Sequence, residues 1–436
     1  MDTFCAVTGW MHMWREEEFI EAISSDCDTG ECLWGELKID FDDPNLEQGS
    51  AGEDDIENIS STLVAAPSRA IQRGLKYTAD DVEGTSNYVL ITPCERSQDG
   101  TIIPRKLRDM DAPPEILDKE DVLYLFNVYP SKEGPEMGIY DQHSKHGKVE
   151  FTGVGHSFGS YLITFCSFLI LQQLIPGLEA RTFCKLAVKA RGAFQIFPII
   201  DYGPVSRTIM QDVVWAQIAD IDEEGVDGDE EDPENVDQRW WLKFLTQEGK
   251  TDKQILEEAW MGKGNMWVFK HPGIFPIEEA VRLDRCLPSP MTPPSTNTSP
   301  GQKNTFPNLP VELILVIFSY LPPEDLLHLI TTSSKLYRKF RIGINEYVYA
   351  WIQRESPWYL PVGPINCEGG DEEVVRWQSQ WSAFMDLDVR TSGKKDLPWL
   401  AYHFACKSSP NMRSRERIWR IVLQIRALLI DAELYP

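Results

Sequence analysis

Residues 306–326 run Phe306-Pro307-Asn308-Leu309-Pro310-Val311-Glu312-Leu313-Ile314-Leu315-Val316-Ile317-Phe318-Ser319-Tyr320-Leu321-Pro322-Pro323-Glu324-Asp325-Leu326, and their spacing decides the fold of this part of the chain. Pro310 suits the opening of a helix, where its missing N–H costs nothing, and Glu312 sets a negative charge at the positive helix end. Leu313, Ile314, Ile317, Phe318 and Leu321 recur at helical spacing and make one apolar stripe. Pro322 stops that helix. Pro323 with Glu324 and Asp325 starts a second, filled by Leu326, Leu327, Leu329 and Ile330. Thr332 or Ser333 can cap a third helix with the stripe Leu336, Tyr337, Phe340, Ile344, Tyr347, Val348 and Trp351. Three helices in about 45 residues have too little interior to bury this much apolar surface among themselves. The surplus is expected to form a patch that needs a partner.

Working outward, residues 286–305 (CLPSPMTPPSTNTSPGQKNT) are rich in Pro, Ser and Thr and hold almost nothing to bury, so they are expected to be a linker. Ser289, Thr292 and Ser299 each precede a proline, the context of proline-directed phosphorylation, although such dipeptides are common in any linker of this composition. On the other side, residues 352–436 form a Trp-rich extension. Its stretch 413–430 places Ile418, Ile421, Val422, Ile425, Leu428 and Leu429 on one helical face. Arg415, Arg417, Arg420 and Arg426 are interleaved, and the expectation is a helix packed on its own chain with an exposed arginine face.

The charge divides along the same line. The whole chain carries a formal −26, yet from Gln302 onward there are 16 of its 42 basic and 15 of its 68 acidic residues, which leaves 26 and 53 before it. The acidity therefore belongs to the first part. It argues against wholesale binding of nucleic acid or an anionic membrane, both of which need a concentrated positive surface. Nine cysteines without a CxxC pair argue against a disulfide framework or a zinc knuckle. The stretch from Met1 to Ile20 carries charges inside its only apolar part, and the longest apolar run, 161–171, is too short to span a bilayer. The expected location is the cytosol, the nucleus or both. Within residues 1–285, strands are expected at 88–92, 122–129 and 192–200, and helices at 161–174, 180–190 and 205–218. That makes an α+β domain with acidic loops.

Three further patterns invite a functional reading. Gly155-His156-Ser157-Phe158-Gly159 follows a strand-like run and precedes an apolar helix, the context of a nucleophile elbow. A hydrolase also needs an acid, a histidine and an oxyanion loop, and before the linker only His271 follows; packing is the stronger reading. Residues 220–231 (DIDEEGVDGDEE) match several positions of a calcium loop. However, Asp227 stands at the usual apolar position and Pro233 follows directly, so a solvated acidic loop is expected. Trp240, Trp241, Phe244, Trp267 and Phe269 are aromatics at a spacing that favours core over exposed binding anchors. No catalytic residue, metal site or cofactor is expected.

The run Leu309-Pro310-x-Glu312-Leu313, Ile317-Phe318-Ser319-Tyr320-Leu321-Pro322, Asp325-Leu326, Leu329, Ser333 and Tyr337 resembles an F-box. It departs from the common pattern in the third helix, at Thr332-Ser333 and Leu336-Tyr337. The wider layout also resembles F-box proteins of filamentous fungi, with an acidic N-terminal domain, a short Cys-containing motif near its start and an Asp201-Tyr202-Gly203 stretch. The resemblance implies an α+β N-terminal domain (1–285), a linker (286–305), an all-α three-helix F-box (306–351) and a helical C-terminal extension (352–436). It also implies docking on a Skp-family adaptor through Leu309, Pro310, Leu313, Ile317, Leu321, Leu326 and Leu329. In that role the chain would be a non-catalytic subunit that presents an unknown protein substrate to a cullin-type ubiquitin ligase. The alternatives are a serine hydrolase centred on Ser157, or an F-box scaffold with no ubiquitin role.

Overall fold

A computed structural model describes residues 5–8, 88–104, 117–118, 121–130, 137–139, 161–190, 197–207, 249–286, 309–331, 336, 339–340, 343–361, 375, 378–379, 382 and 398–436. The chain divides into two compact units: residues 1–271 with 368–370 and 420–436, and residues 272–367 with 371–419. Helix Ile277–Cys286, which the sequence groups with the first domain, therefore falls in the second unit, and the C-terminal segment Arg420–Pro436 falls in the first.

The first unit is built on an antiparallel sheet. Strand β1 (Tyr88–Arg96) pairs along one edge with β3 (Asp121–Pro130), and β3 in turn pairs with β4 (Met137–Ile139). Its other edge is shared: β5 (Tyr161–Thr164) takes Tyr88–Ile91 and β2 (Ile102–Pro104) takes Cys94–Arg96. Alternation sorts the side chains to two faces. Tyr88, Leu90 and Cys94 join Leu125, Val128, Ile102 and Leu162 in one core. On the opposite face Tyr124 and Phe126 of β3 meet Phe168 of helix α1 (Phe165–Leu174) edge to face, with ring centres 5.0 and 5.6 Å apart. Helix α2 (Ala180–Lys189) sends Phe183 against Tyr161 and Phe197. Later in the unit, helix α3 (Asp252–Met261) opens on a capping box between Thr251 and Gln254.

Two elements differ from their sequence expectation. Residues 161–164 are a strand and not the start of a helix, because Tyr161, Leu162, Ile163 and Thr164 complete the ladder on Tyr88–Ile91. β-Branched and aromatic residues with a free edge to pair are better placed in a sheet. Residues 197–200 form a turn and not a strand end: the Ile200 amide donates to the Phe197 carbonyl, and Pro198 has no N–H for a ladder. Tyr202 holds this turn, accepting from the Phe197 amide and donating to the Ala6 carbonyl. Of the helix expected at 205–218, the described part is the 3-10 turn Pro204–Arg207. Trp267 and Phe269 are buried, as a core reading requires. Trp240, Trp241, Phe244, the Gly155–Gly159 motif with Ser157, the acidic run 220–231, and Ser289, Thr292 and Ser299 all lie outside the described residues.

The second unit is helical among the described residues: α4 (Ile277–Cys286), α5 (Val311–Tyr320), α6 (Pro323–Thr331), α7 (Ile344–Glu355), α8 (Trp399–Ser408) and the opening of α9 (Pro410–Asp431). One core runs through them, with Ile314, Phe318, Leu326, Ile330, Leu336, Phe340, Ile344, Val348 and Ile352 at helical spacing. Of the stripe expected of a third helix, Leu336, Phe340, Ile344 and Val348 are buried and Tyr347 and Trp351 half-buried, while Tyr337 lies outside the described residues; the long helix begins at Ile344, after Gly343.

The arginine face expected of α9 is not wholly on the surface. Arg415 and Arg417 are buried, while Arg420 and Arg426 are exposed. The physical reason is visible at Arg415. Its guanidinium donates to the carbonyls of Trp358 (2.8 Å), Pro272 (3.3 Å) and Leu360 (3.4 Å) and lies over the Phe275 ring. A buried guanidinium needs such partners, and chain turns supply them here.

Candidate partner-binding site

The apolar surplus of the F-box-like region resolves into two faces of α5. Ile314 and Phe318, four residues apart, enter the core, and Phe318 packs edge to face on Phe340 and Tyr347. At 100° per residue, Leu313, Val316 and Tyr320 fall on the opposite side of the helix. They are 52%, 54% and 82% exposed. A leucine, a valine and a tyrosine stacked at i, i+3 and i+7 make a continuous apolar ridge on one helix face. The Ser319 hydroxyl beside them donates to the Val316 carbonyl, so it adds no free donor to the ridge.

Against this geometry the seven sequence-selected residues separate. Leu313 and Pro310 are exposed and Ile317 is half-buried beside the ridge. Leu309, Leu321 and Leu329 are half-buried and pack on the core. Leu326 is only 1% exposed and sits inside that core, so it supports the helix pair from within and offers no surface. Leu326→Ala is accordingly expected to cost stability, about 2–5 kcal/mol for a buried leucine truncated to alanine. Chemical unfolding of the variant beside wild type measures this. A loss below about 1 kcal/mol would return Leu326 to the surface set. Val316 and Tyr320 are absent from the pattern-selected set, although the sequence carries their signal. It lies in the phase of 313, 316 and 320, opposite to 314 and 318.

Behind the ridge, α6 is tied to α8. Glu324, in the first turn of α6, accepts from His403 Nε2 at 3.2 Å and from Lys407 Nζ at 2.5 Å. Partial burial would raise its carboxyl, but hydrogen bonds from Lys407, its own amide and His403 bring it down to about 2. His403 is buried among the rings of Trp351, Tyr359 and Phe404, and that burial lowers its pKa despite Glu324 beside it. The Tyr402 hydroxyl donates to the Tyr359 carbonyl at 2.5 Å, and burial raises this phenol well above its ordinary range.

These shifts set a direction for pH. A histidine harder to protonate when folded leaves the unfolded chain binding more protons below the ordinary value of 6.5. Stability therefore falls as pH drops through and below that value. The depressed Glu324 contributes stability above 4.5 that is lost toward about 2. The urea midpoint of the wild type is expected to fall between pH 7.5 and pH 5.5, and His403→Leu should reduce that fall. An equal fall in the variant would remove His403 from the account.

Among the described residues no group of three or more His, Cys, Asp and Glu could hold a metal, and no helix is long and apolar enough to cross a membrane. No curated protein and no solved structure matches the chain. Residues 306–339 match the model of the F-box-like family, the segment that contains α5, its exposed ridge and α6, and this supports an F-box domain protein with a role in protein interaction.

Proposed function

We propose that the chain is an F-box adaptor that docks on a Skp-family protein through the outer face of α5 and presents a protein substrate to a cullin-type ubiquitin ligase. The observation that carries this reading is the exposed ridge Leu313–Val316–Tyr320 within the F-box-like segment. A soluble surface rarely keeps such a ridge without a partner to cover it. Leu309, Pro310, Ile317, Leu321 and Leu329 are the further docking residues that the F-box resemblance implies, and Leu326 packs in the core that α5 and α6 share.

In this role the chain makes and breaks no bond. Its contribution is proximity: a tethered substrate lysine meets the ubiquitin-charged enzyme at a raised effective concentration. The acidic part of the chain before the F-box-like segment would hold the substrate, in the layout that the resemblance to filamentous-fungal F-box proteins implies. The complex would work in the cytosol or nucleus. Affinity purification of the full chain tests the docking step, with a Skp-family adaptor and a cullin expected in the eluate. Absence of the adaptor overturns the reading. If the adaptor is present but no protein accumulates when the gene is deleted, the ligase half fails and a scaffold remains.

A further inference from the structure

We infer that Glu324 is a positioning residue for adaptor docking, clamped by Lys407 and His403 of α8 so that α6 keeps a fixed orientation behind the exposed ridge. The inference rests on the docking reading above, and it assigns part of the docking element to a segment outside the F-box-like match. That match ends at residue 339, whereas α8 begins at Trp399.

The geometry is specific. His403 and Lys407 are four residues apart and so share one face of α8. Both reach a single carboxylate oxygen, Oε1 of Glu324. Glu324 stands two residues past Pro322, at the point where the chain turns from α5 into α6, so a force on it acts at the hinge between the two helices. α8 is itself anchored: Tyr402 bonds Tyr359, and the Leu400 amide donates to Asn345 Oδ1 at the start of α7. Exposed ion pairs contribute little as a rule. Here one donor is a buried ring packed among Trp351, Tyr359 and Phe404, which removes the freedom that makes such pairs weak. Among the described residues, the charged and titratable groups facing His403 are Glu324 from α6, Lys407 from α8 and Tyr359 from the turn after α7.

The test uses the full chain. Glu324→Lys sets a cation against Lys407 and His403, and adaptor affinity per folded molecule should fall about tenfold or more, a change of about 1.4 kcal/mol. Amide exchange should speed locally over Pro323–Thr331. Adding Lys407→Glu restores the pair with its charges reversed and should recover most of both effects. Glu324→Gln keeps size and shape, guards against a variant that fails to fold, and should lose about threefold. A clamp that serves stability alone would lower the melting temperature while leaving affinity per folded molecule within about twofold of wild type, and that result overturns the proposal. If wild type captures no adaptor, the docking reading fails by itself. Exchange over Pro323–Thr331 then decides the clamp, and protection unchanged in Glu324→Lys overturns it.

Discussion

The double variant Val316→Asp, Tyr320→Asp should lose adaptor capture by at least about 100-fold while melting within a degree or two of wild type. Both side chains are more than half exposed, so neither removes core contacts, and surface changes of this kind stay within about 0.5 kcal/mol. In a docked complex the two would be covered. A fully covered valine or tyrosine is worth about 1.5–3 kcal/mol, and an unpaired carboxylate buried in its place adds a desolvation cost. A 100-fold loss requires only about 2.7 kcal/mol, so the expected effect lies well inside what two such positions can supply. Leu423→Asp is the control, because Leu423 is also an exposed apolar residue but lies on α9, in the other unit. It should leave capture unchanged. Retention of capture within about threefold by the double variant would place the docking surface elsewhere, and an equal loss in the control would show a general effect of surface charge.

The helices of this region are legible in the sequence and their outward faces less so. Pro310, Pro322 and the spacing of Leu313 to Leu321 mark α5 to within a residue. Hydrophobicity alone cannot say whether a leucine is covered by its own chain or by a partner. The F-box resemblance implies Leu326 as a partner contact, yet in the structure it is packed in the core, while Val316 and Tyr320, outside the implied set, stand in solvent. Phase relative to Ile314 and Phe318 separates them. In the first unit, 88–92, 122–129 and 180–190 are readable from β-branched runs and helical period. Tyr161–Thr164 is not, because its pairing with Tyr88–Ile91 joins segments too distant in the chain for any local window to contain both. The clamp on Glu324 is hidden for the same reason, since its donors lie at 403 and 407. Arg415 shows the limit most plainly: interleaved arginines on an amphipathic helix predict an exposed basic face, and only the fold reveals the carbonyls that draw one inside.

That arginine sets the largest stability effect expected of any single side chain here. Arg415→Ala should destabilise the second unit by about 3–5 kcal/mol. The guanidinium is fully buried and joins backbone stretches that are distant in sequence, through the carbonyls of Pro272, Trp358 and Leu360. Removing it strips all three bonds at once. A buried carbonyl left without its donor costs about 1–3 kcal/mol, and the cavity over Phe275 adds to that. Two companions separate the causes. Arg415→Met keeps most of the volume but supplies no donor, so it should recover only the packing part. Arg415→Lys keeps the charge, but a single ammonium cannot span the fork that three carbonyls occupy, so it should still lose about 1–3 kcal/mol. Urea unfolding of the full chain followed by tryptophan fluorescence reads all three, since Trp358 and Trp419 lie in the affected unit. If Arg415→Met proves as stable as wild type, the three carbonyls are satisfied without the guanidinium, and the arginine is a replaceable spacer in the core.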